Sequence, residues 1–398
     1  MLEVIMKKIY VNFFLKKTRL DVTVVEDINS KYFPVFQTYL ETKNFEANKI
    51  KEFITNFKKY LKSKVATKKN DVVKYSFIVK DSLYKSLKFV NQTLTFDVPS
   101  NTVDQQVWKE VKNKLEEQKE SSTYELINSN IYLYETINND VVKSYSTFPW
   151  NKQALKLNIN QGLFVITKDT WLAKIINIIK ECNLKLDALL LESQALSANL
   201  EEKDKAKYLF HFDWNALVVN GSMNAKTFFY EKSNIDFKNF VNYLSKELNK
   251  SKEDTILLLE AVVANWKVYQ VLNDETEGYK AYRLVISLFD QAIHKVKAFL
   301  DQNNQKVDEL VLNCKNSEIF MDRFNKLYPE MNVAILDDNV STLFNIPNSL
   351  LGIINLLNPE KINCEDMVNT LNNLPEYKPK SFWNKLFSWI LPSQRAQK

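Results

Sequence analysis

Apolar residues along this chain recur with two periods, and the changes of period mark out its elements. Runs rich in β-branched and aromatic residues at 9–14 and 20–25 flank a polar stretch at 15–19, which predicts a hairpin, and a third such run follows at 33–39. From 47 to 64 the apolar positions Ile50, Phe53, Ile54, Phe57 and Leu61 return every three or four residues, the spacing of one buried helix face. Three strands and a helix are an α/β opening.

From residue 73 the pattern changes. Runs at 73–79, 88–96, 131–137, 141–146 and 163–167 read as strands, and 102–120 as a charged helix that Asn101 or Thr102 can cap. Together they predict an α+β insertion over 73–168. An amphipathic helix over 169–182, with Trp171, Leu172, Ile175, Ile176 and Ile179 apolar, then leads to a strand at 186–191. The second half repeats the opening: strands at 208–212, 216–219 and 227–230, then a helix over 236–248. Helices over 255–272 and 281–300, a strand at 310–313, a helix over 319–327, a strand at 332–336 and a helix over 349–357 complete it. The recurrence predicts an internal duplication, although no residue-level repeat is legible.

Composition narrows what such a body can do. The chain has 398 residues, 45% of them hydrophobic, enough for two or more domains and a substantial core. Its four glycines, Gly162, Gly221, Gly278 and Gly352, fall far below the ordinary usage of about 7%, which excludes a glycine-rich phosphate loop. Cys182, Cys314 and Cys364 are odd in number and far apart, so neither a disulfide framework nor a zinc site is suggested, and a reducing cytoplasm fits. His211 and His294 sit in no triad or metal-ligand spacing, and Asp337-Asp338 reads as a turn, so the chain is expected to be no enzyme and to hold no metal. The lysine cluster at 49–80 lacks an aromatic platform and reads as a solvated helix face, with no nucleic-acid partner expected. The start of the chain is too short in apolar residues for a signal peptide, and 255–272 is interrupted by Glu260 and Lys267, so no segment is expected to span a bilayer.

The net charge of +6 concentrates at the end, where 371–398 carries five basic side chains against Glu376. Within it, 381–391 is an amphipathic helix. At about 100° per residue Phe382, Trp383, Leu386, Phe387, Trp389, Ile390 and Leu391 fill one broad arc, while Asn384, Lys385 and Ser388 share the remainder. Ser381 can cap its start and Pro392 cannot continue it. The stretch 371–380, with Pro375 and Pro379, reads as an extended tether. Aromatic density, with Lys378, Lys380, Lys385, Arg395 and Lys398 around it, suits a helix lying in an anionic lipid interface. Docking on a protein groove is the other reading of the same pattern.

With its elements in this order, the chain resembles FtsA, the bacterial cell-division family of the actin-like superfamily. The tail is similar to that family's membrane-targeting helix in composition and position. The stretch 169–200 resembles the family's helix, strand and alanine-containing helix start, Glu201-Glu-Lys203 the turn before its second phosphate-loop strand, and Gly352 in Asn348-Ser-Leu-Leu-Gly-Ile-Ile the glycine of its last core helix. The resemblance implies an α/β, actin-like two-half fold. A first core subdomain takes 1–72 and 169–203, an FtsA-type α+β inserted subdomain 73–168, a second core subdomain 204–253 and 306–370, and a smaller subdomain of the second half 254–305. A linker at 371–380 and the membrane-targeting helix at 381–391 follow.

The nucleotide signature departs from the family. Its first hairpin, Asp-Ile-Gly-Thr, is matched to Asn12, Phe13, Phe14 and Leu15; its second to Asp213-Trp-Asn-Ala-Leu217; and its adenosine loop to Val311-Leu-Asn-Cys-Lys-Asn316. Glycine lets a backbone turn with positive φ and bring its N–H groups against phosphate, whereas Phe14, Trp214 and Lys315 place bulk there. Asp213 is the one candidate cofactor contact left, and ATP is expected to bind weakly at best and not to turn over. For function the resemblance implies a tether. The body takes the C-terminal peptide of the tubulin-like protein FtsZ and self-associates, while the tail holds anionic lipid on the inner face of the cytoplasmic membrane at the division site. The family's peptide site would fall on the helix 281–300, which offers Arg283, Lys295 and Lys297 to an acidic peptide, with Phe289 and Ala292 in place of the family's Arg and Glu. A polymerising actin-like ATPase and a soluble scaffold whose tail docks on a partner stay open beside it.

Overall fold

The computed structural model describes residues 7–28, 31–41, 46–66, 71–117, 124–139, 141–167, 171–200, 205–223, 226–272, 276–314, 317–336 and 346–357. The tether 371–380, the amphipathic stretch 381–391, Cys364, the turn Glu201-Glu-Lys203, Lys315 and Asp337-Asp338 lie outside the described residues.

Strands β1 (Lys8–Leu15), β2 (Arg19–Ile28) and β3 (Lys31–Glu41) form an antiparallel meander, and α1 (Ala47–Lys64) returns the chain to β4 (Val72–Val79), parallel to β1. β1 is buried along almost its whole length, as a strand covered on both faces must be, which is why it reads as a continuous apolar run. The helix face seen in the sequence meets this sheet: Phe57 of α1 packs edge-on to Phe13 at 5.7 Å and stacks on Phe36 at 6.0 Å.

The insertion follows, as β5 (Lys88–Asp97), α2 (Gln105–Glu117), β6 (Tyr124–Asn138), β7 (Val141–Tyr145) and β8 (Lys156–Thr167), and forms its own sheet in the order β5-β8-β6-β7. Helix α3 (Trp171–Glu181) and strand β9 (Ala188–Leu191) complete the first sheet, and α4 (Glu192–Ser197) leads out of it. In the second half, β10 (Ala206–Asp213), β11 (Ala216–Met223) and β12 (Lys226–Asn234) form another meander. Helices α5 (Phe237–Glu247), α6 (Lys252–Ala264), α7 (Trp266–Val271) and α8 (Glu277–Gln302) precede β13 (Leu310–Cys314), α9 (Ser317–Leu327), β14 (Val333–Ile335) and α10 (Asn348–Leu357).

The two large sheets share one plan. Their orders are β3-β2-β1-β4-β9 and β12-β11-β10-β13-β14, each an antiparallel meander continued by two parallel strands. Glycine is scarce, and asparagine takes over its conformational role. Asn101, Asn139, Asn151, Asn183, Asn249 and Asn304 have φ between 50° and 59°, and three of them follow the ends of α3, α5 and α8.

Three boundaries differ from the sequence reading. The strand at 73–79 was expected in the insertion, but β4 pairs with β1 along its whole length and with β9, so it is a core strand and the insertion begins after it. The expected helix over 255–272 is two helices, starting at the Ser251 cap and broken at Asn265, whose side chain donates to Ala261 O at 2.9 Å. The stretch 254–305 does not build a core of its own: Leu259, Val262, Val285, Phe289 and Val296 pack in one cluster with Phe210, Phe212 and Leu312 of the second sheet.

Candidate functional site

The strand ends of both halves meet at a short segment that follows β4. Lys80 donates its backbone N–H to Leu15 O at the end of β1 (3.2 Å), and its ammonium lies 3.0 Å from Asp213 Oδ2 at the end of β10. Ser82 donates to the same Asp213 oxygen at 2.9 Å. The other oxygen of Asp213 accepts the N–H groups of Asn215 (2.6 Å) and Ala216 (3.0 Å), which closes the β10–β11 turn. Burial works against this carboxylate, but Lys80 and the turn N–H groups outweigh it and hold its pKa below the usual range. Lys80 is buried too, and Asp213 with Glu192 keeps its pKa raised.

Asp81, 1% exposed, sits one residue further on. It accepts the Ser193 N–H at 2.8 Å and the Ser193 hydroxyl at 2.7 Å at the start of α4, and the Tyr230 hydroxyl of β12 at 2.9 Å. Leu191, which precedes α4, has no polar side chain to cap that helix, so Asp81 caps it from a distance. Burial pushes the Asp81 pKa up, against His211 and the Ser193 hydrogen bonds. Tyr230 is pushed well up by burial and by Asp81. Lys232 of β12 donates to Tyr84 O, so the segment 80–84 touches β10 and β12 alike.

His211, on β10, lies 3.5 Å through Nε2 from Glu192 Oε2 and 3.0 Å through Nδ1 from Asn313 O at the end of β13. Burial favours the neutral ring, yet the hydrogen bond and charge of Glu192, with Asp81 and Asp213 behind, raise its pKa to about 9. Beside it opens a cavity of about 320 Å³ lined by His211, Asp213, Trp214, Glu260, Phe289 and Asn313. Cys314, on the same wall, is held as a thiol, its pKa pushed up by burial to about 12. Among the described residues no group of three or more His, Cys, Asp or Glu is arranged to hold a metal ion.

The structure puts Asp213 in this cluster but leaves the other expected residues elsewhere. Arg283 and Lys295 are exposed on α8, separated by about 18 Å along the axis and turned by about 120°. Lys295 donates to Ser233 Oγ at 3.1 Å and Lys297 pairs with Asp301. The three cations do not gather into one patch. Phe289 and Ala292 are buried in the core. His294 meets the Tyr328 hydroxyl at 2.7 Å.

Residues 12–15, matched to the family's first phosphate hairpin, all lie within β1, and the hairpin turns within the stretch 15–19 that the sequence predicts. Pairing of β1 with β2 continues to Leu15 and Leu20, so the turn is Lys16-Lys-Thr18. Asn12 lies inside the strand, 2% exposed, and accepts from Ser76 Oγ at 3.1 Å. Sequence reasoning missed Lys80, Asp81, Ser82, Glu192, Ser193, Tyr230 and Lys232. A signal for them exists: charged and hydroxyl residues stand directly after the apolar ends of β4 and β9, where parallel strands present their carboxyl ends to a crevice.

No family profile and no curated protein sequence matches the chain. Among solved structures it is similar to a PilM–PilN type IV pilus biogenesis complex, with 12% identity over 86% of this chain and 96% of that chain and a TM-score of 0.48. It is also similar to the ethanolamine utilization protein EutJ from Carboxydothermus hydrogenoformans, with 9% identity, coverage of 87% and 88%, and a TM-score of 0.40. A Bacteroides thetaiotaomicron protein with an actin-like ATPase fold follows at 10% identity, coverage of 85% and 95%, and a TM-score of 0.32. The strand order rather than these likenesses decides the architecture: two α/β halves of the same topology, in contact at Lys80, Asp81 and Ser82 on one side and Asp213 and Tyr230 on the other, the actin-like fold.

Proposed function

We propose that the protein is a non-hydrolysing, actin-like tether: its body takes the acidic C-terminal peptide of FtsZ, and 381–391 attaches it to the anionic inner face of the cytoplasmic membrane at the division site. The observation that carries the first half of this reading is the state of Asp213. A magnesium-bound triphosphate needs an acidic group free at the hairpins and backbone N–H groups turned toward its oxygens. Asp213 instead has Lys80, Ser82 and two turn N–H groups on its oxygens. Trp214, in the turn, packs at 5.7 Å on Phe289 and 5.1 Å on Phe237, and no glycine stands at either hairpin turn. These residues do not fit ATP.

The membrane half is supported by the apolar arc of 381–391 and the cations around it. The peptide is proposed to lie along α8, where Arg283 and Lys295 are exposed on different sides of the helix and Lys297 is paired with Asp301, so each cation would meet a separate part of the peptide. Flotation with anionic liposomes tests the reading. The full chain should float with or without magnesium ATP, and a chain ending at Lys380, Trp383→Glu or Phe387→Glu should stay in the dense fraction. Equal flotation of all four, or calorimetric ATP binding below micromolar, would refute it. An FtsZ peptide affinity unchanged by Lys295→Glu with Lys297→Glu would move the peptide site off α8.

A further inference from the structure

The contact between the halves at Asp213 is linked to α10 through one short helix, α4. Lys80 has a fixed base, because its N–H is bound to Leu15 O, and its ammonium crosses from there to the second half. Its neighbour Asp81 holds the first turn of α4 through Ser193, and Glu192 at the start of α4 faces His211. The other end of α4 is pressed against α10. A Cβ on Gly352 would lie 1.6 Å from Ala195 O. Asn199, just beyond α4, donates to Asn348 O at 2.7 Å and accepts from Asn355 at 3.1 Å.

We propose that Lys80, with Ser82, is a built-in latch that ties the two halves together at Asp213, and that α4 carries the state of this latch to α10. The cation that crosslinks the hairpin ends belongs to the chain itself, so closure needs no bound ligand. Opening at Asp213 removes Lys80, and with it the segment 80–84, from β10 and β12. Asp81 then loses the Tyr230 hydroxyl of the second half, and the α4 cap it provides loosens. Because α4 and α10 touch backbone to backbone at Gly352, α4 cannot tilt without moving α10. The proposal rests on the reading of the Asp213 contact as ligand-independent, but its test contains neither nucleotide, lipid nor peptide, so either can fail alone.

The test is hydrogen–deuterium exchange on the full chain carrying Lys80→Met, Asp213→Asn, both, or Lys80→Arg. Asparagine keeps an oxygen for the turn N–H groups, while its amide nitrogen replaces the oxygen that Lys80 and Ser82 share, so it removes both ties of the latch and leaves the turn. Each single variant should speed exchange of the α4 and α10 amides about tenfold while α2 of the insertion stays protected. The double variant should be no faster than the singles, since both break the tie between Lys80 and Asp213, and Lys80→Arg should exchange as the wild type does. Wild-type exchange at α4 and α10 in both singles, or effects that multiply in the double, would overturn the latch. Loss of protection everywhere in both singles would also overturn it, making the pair a part of the fold rather than a tie between halves.

Discussion

Replacing Gly352 by alanine sets two opposing effects against each other at a site where the structure decides between them. Alanine is favoured over glycine inside a helix by about 1 kcal/mol. Against this, the new methyl would fall 1.6 Å from Ala195 O and 2.8 Å from the Ala195 carbonyl carbon. Ordinary C···O contacts lie near 3.3 Å, so α10 must withdraw from α4 by about 1.7 Å. Both nearby atoms are backbone, and no side-chain rotation can relieve the overlap. A gap of even 0.5–1 Å forfeits roughly a quarter to a half of each dispersion contact. The contacts at risk are those of Leu350, Leu351 and Ile354 with Tyr10, Val25 and Tyr32, and of Ile353 with Phe14, Ile78 and Ala195. Overpacking of this kind costs about 1–3 kcal/mol or more, and here it exceeds the helix gain. Gly352→Ala should therefore destabilise by about 2 kcal/mol, with an upper limit set by the undocking of α10. Thermal unfolding with hydrogen exchange reads both: the midpoint should fall by several degrees, and residues 348–357 should lose protection before the sheets do. A midpoint equal to or above the wild type's would refute the reasoning, because helix propensity would then have outweighed the clash.

Stability should also fall as pH rises toward the basic side. His211 has a folded pKa of about 9 against about 6.5 in the unfolded chain, so its contribution is whole below pH 6.5 and is lost as pH passes through 9. For a group this buried the loss is about 1–3 kcal/mol, and denaturation midpoints between pH 6 and 10 should show it in the wild type and not in His211→Gln; parallel profiles would exclude it. Asn130→Ala should cost about 1–3 kcal/mol by leaving Thr227 N–H and O without their partner, and Asn130→Asp should cost more by setting a carboxylate against Thr227 O. Denaturant midpoints check both, and an aspartate variant as stable as the wild type would count against that contact.

The elements were largely legible because each follows from local spacing. The face of α1 and the recurrence of three strands and a helix are properties of neighbouring residues, and both appear in the structure. What was lost depends on register and distance. The hairpin turn expected within 15–19 is found at Lys16-Lys-Thr18, but an apolar run does not say which of its residues face a ligand, and Asn12, matched to a phosphate-loop position, lies buried inside β1. Likewise β4 resembles the strands of the insertion and differs from them only in its partners, β1 and β9. Ser82 and Asp213 are separated by 131 positions, and no periodicity connects them. Asp213 was singled out because it stands where the resembled family's second phosphate hairpin carries its acidic residue; Lys80 and Asp81 were missed because their purpose exists only once the halves have met.

The asparagines of the insertion have a consequence for how the chain is made. Asn128 of β6 donates to Leu189 O on β9, while Asn91 and Asn130 reach Phe228 O and the N–H and O of Thr227 on β12. β9 and β12 are the outer strands of the two large sheets, and an uncovered outer strand invites pairing with another chain. Residues 124–138 are synthesised before 226–234, so the amides that cover β12 already exist when that strand emerges. The second half thus grows against a surface prepared for it, and expressed alone it would present the backbone of Thr227 and Phe228 to whatever strand came near.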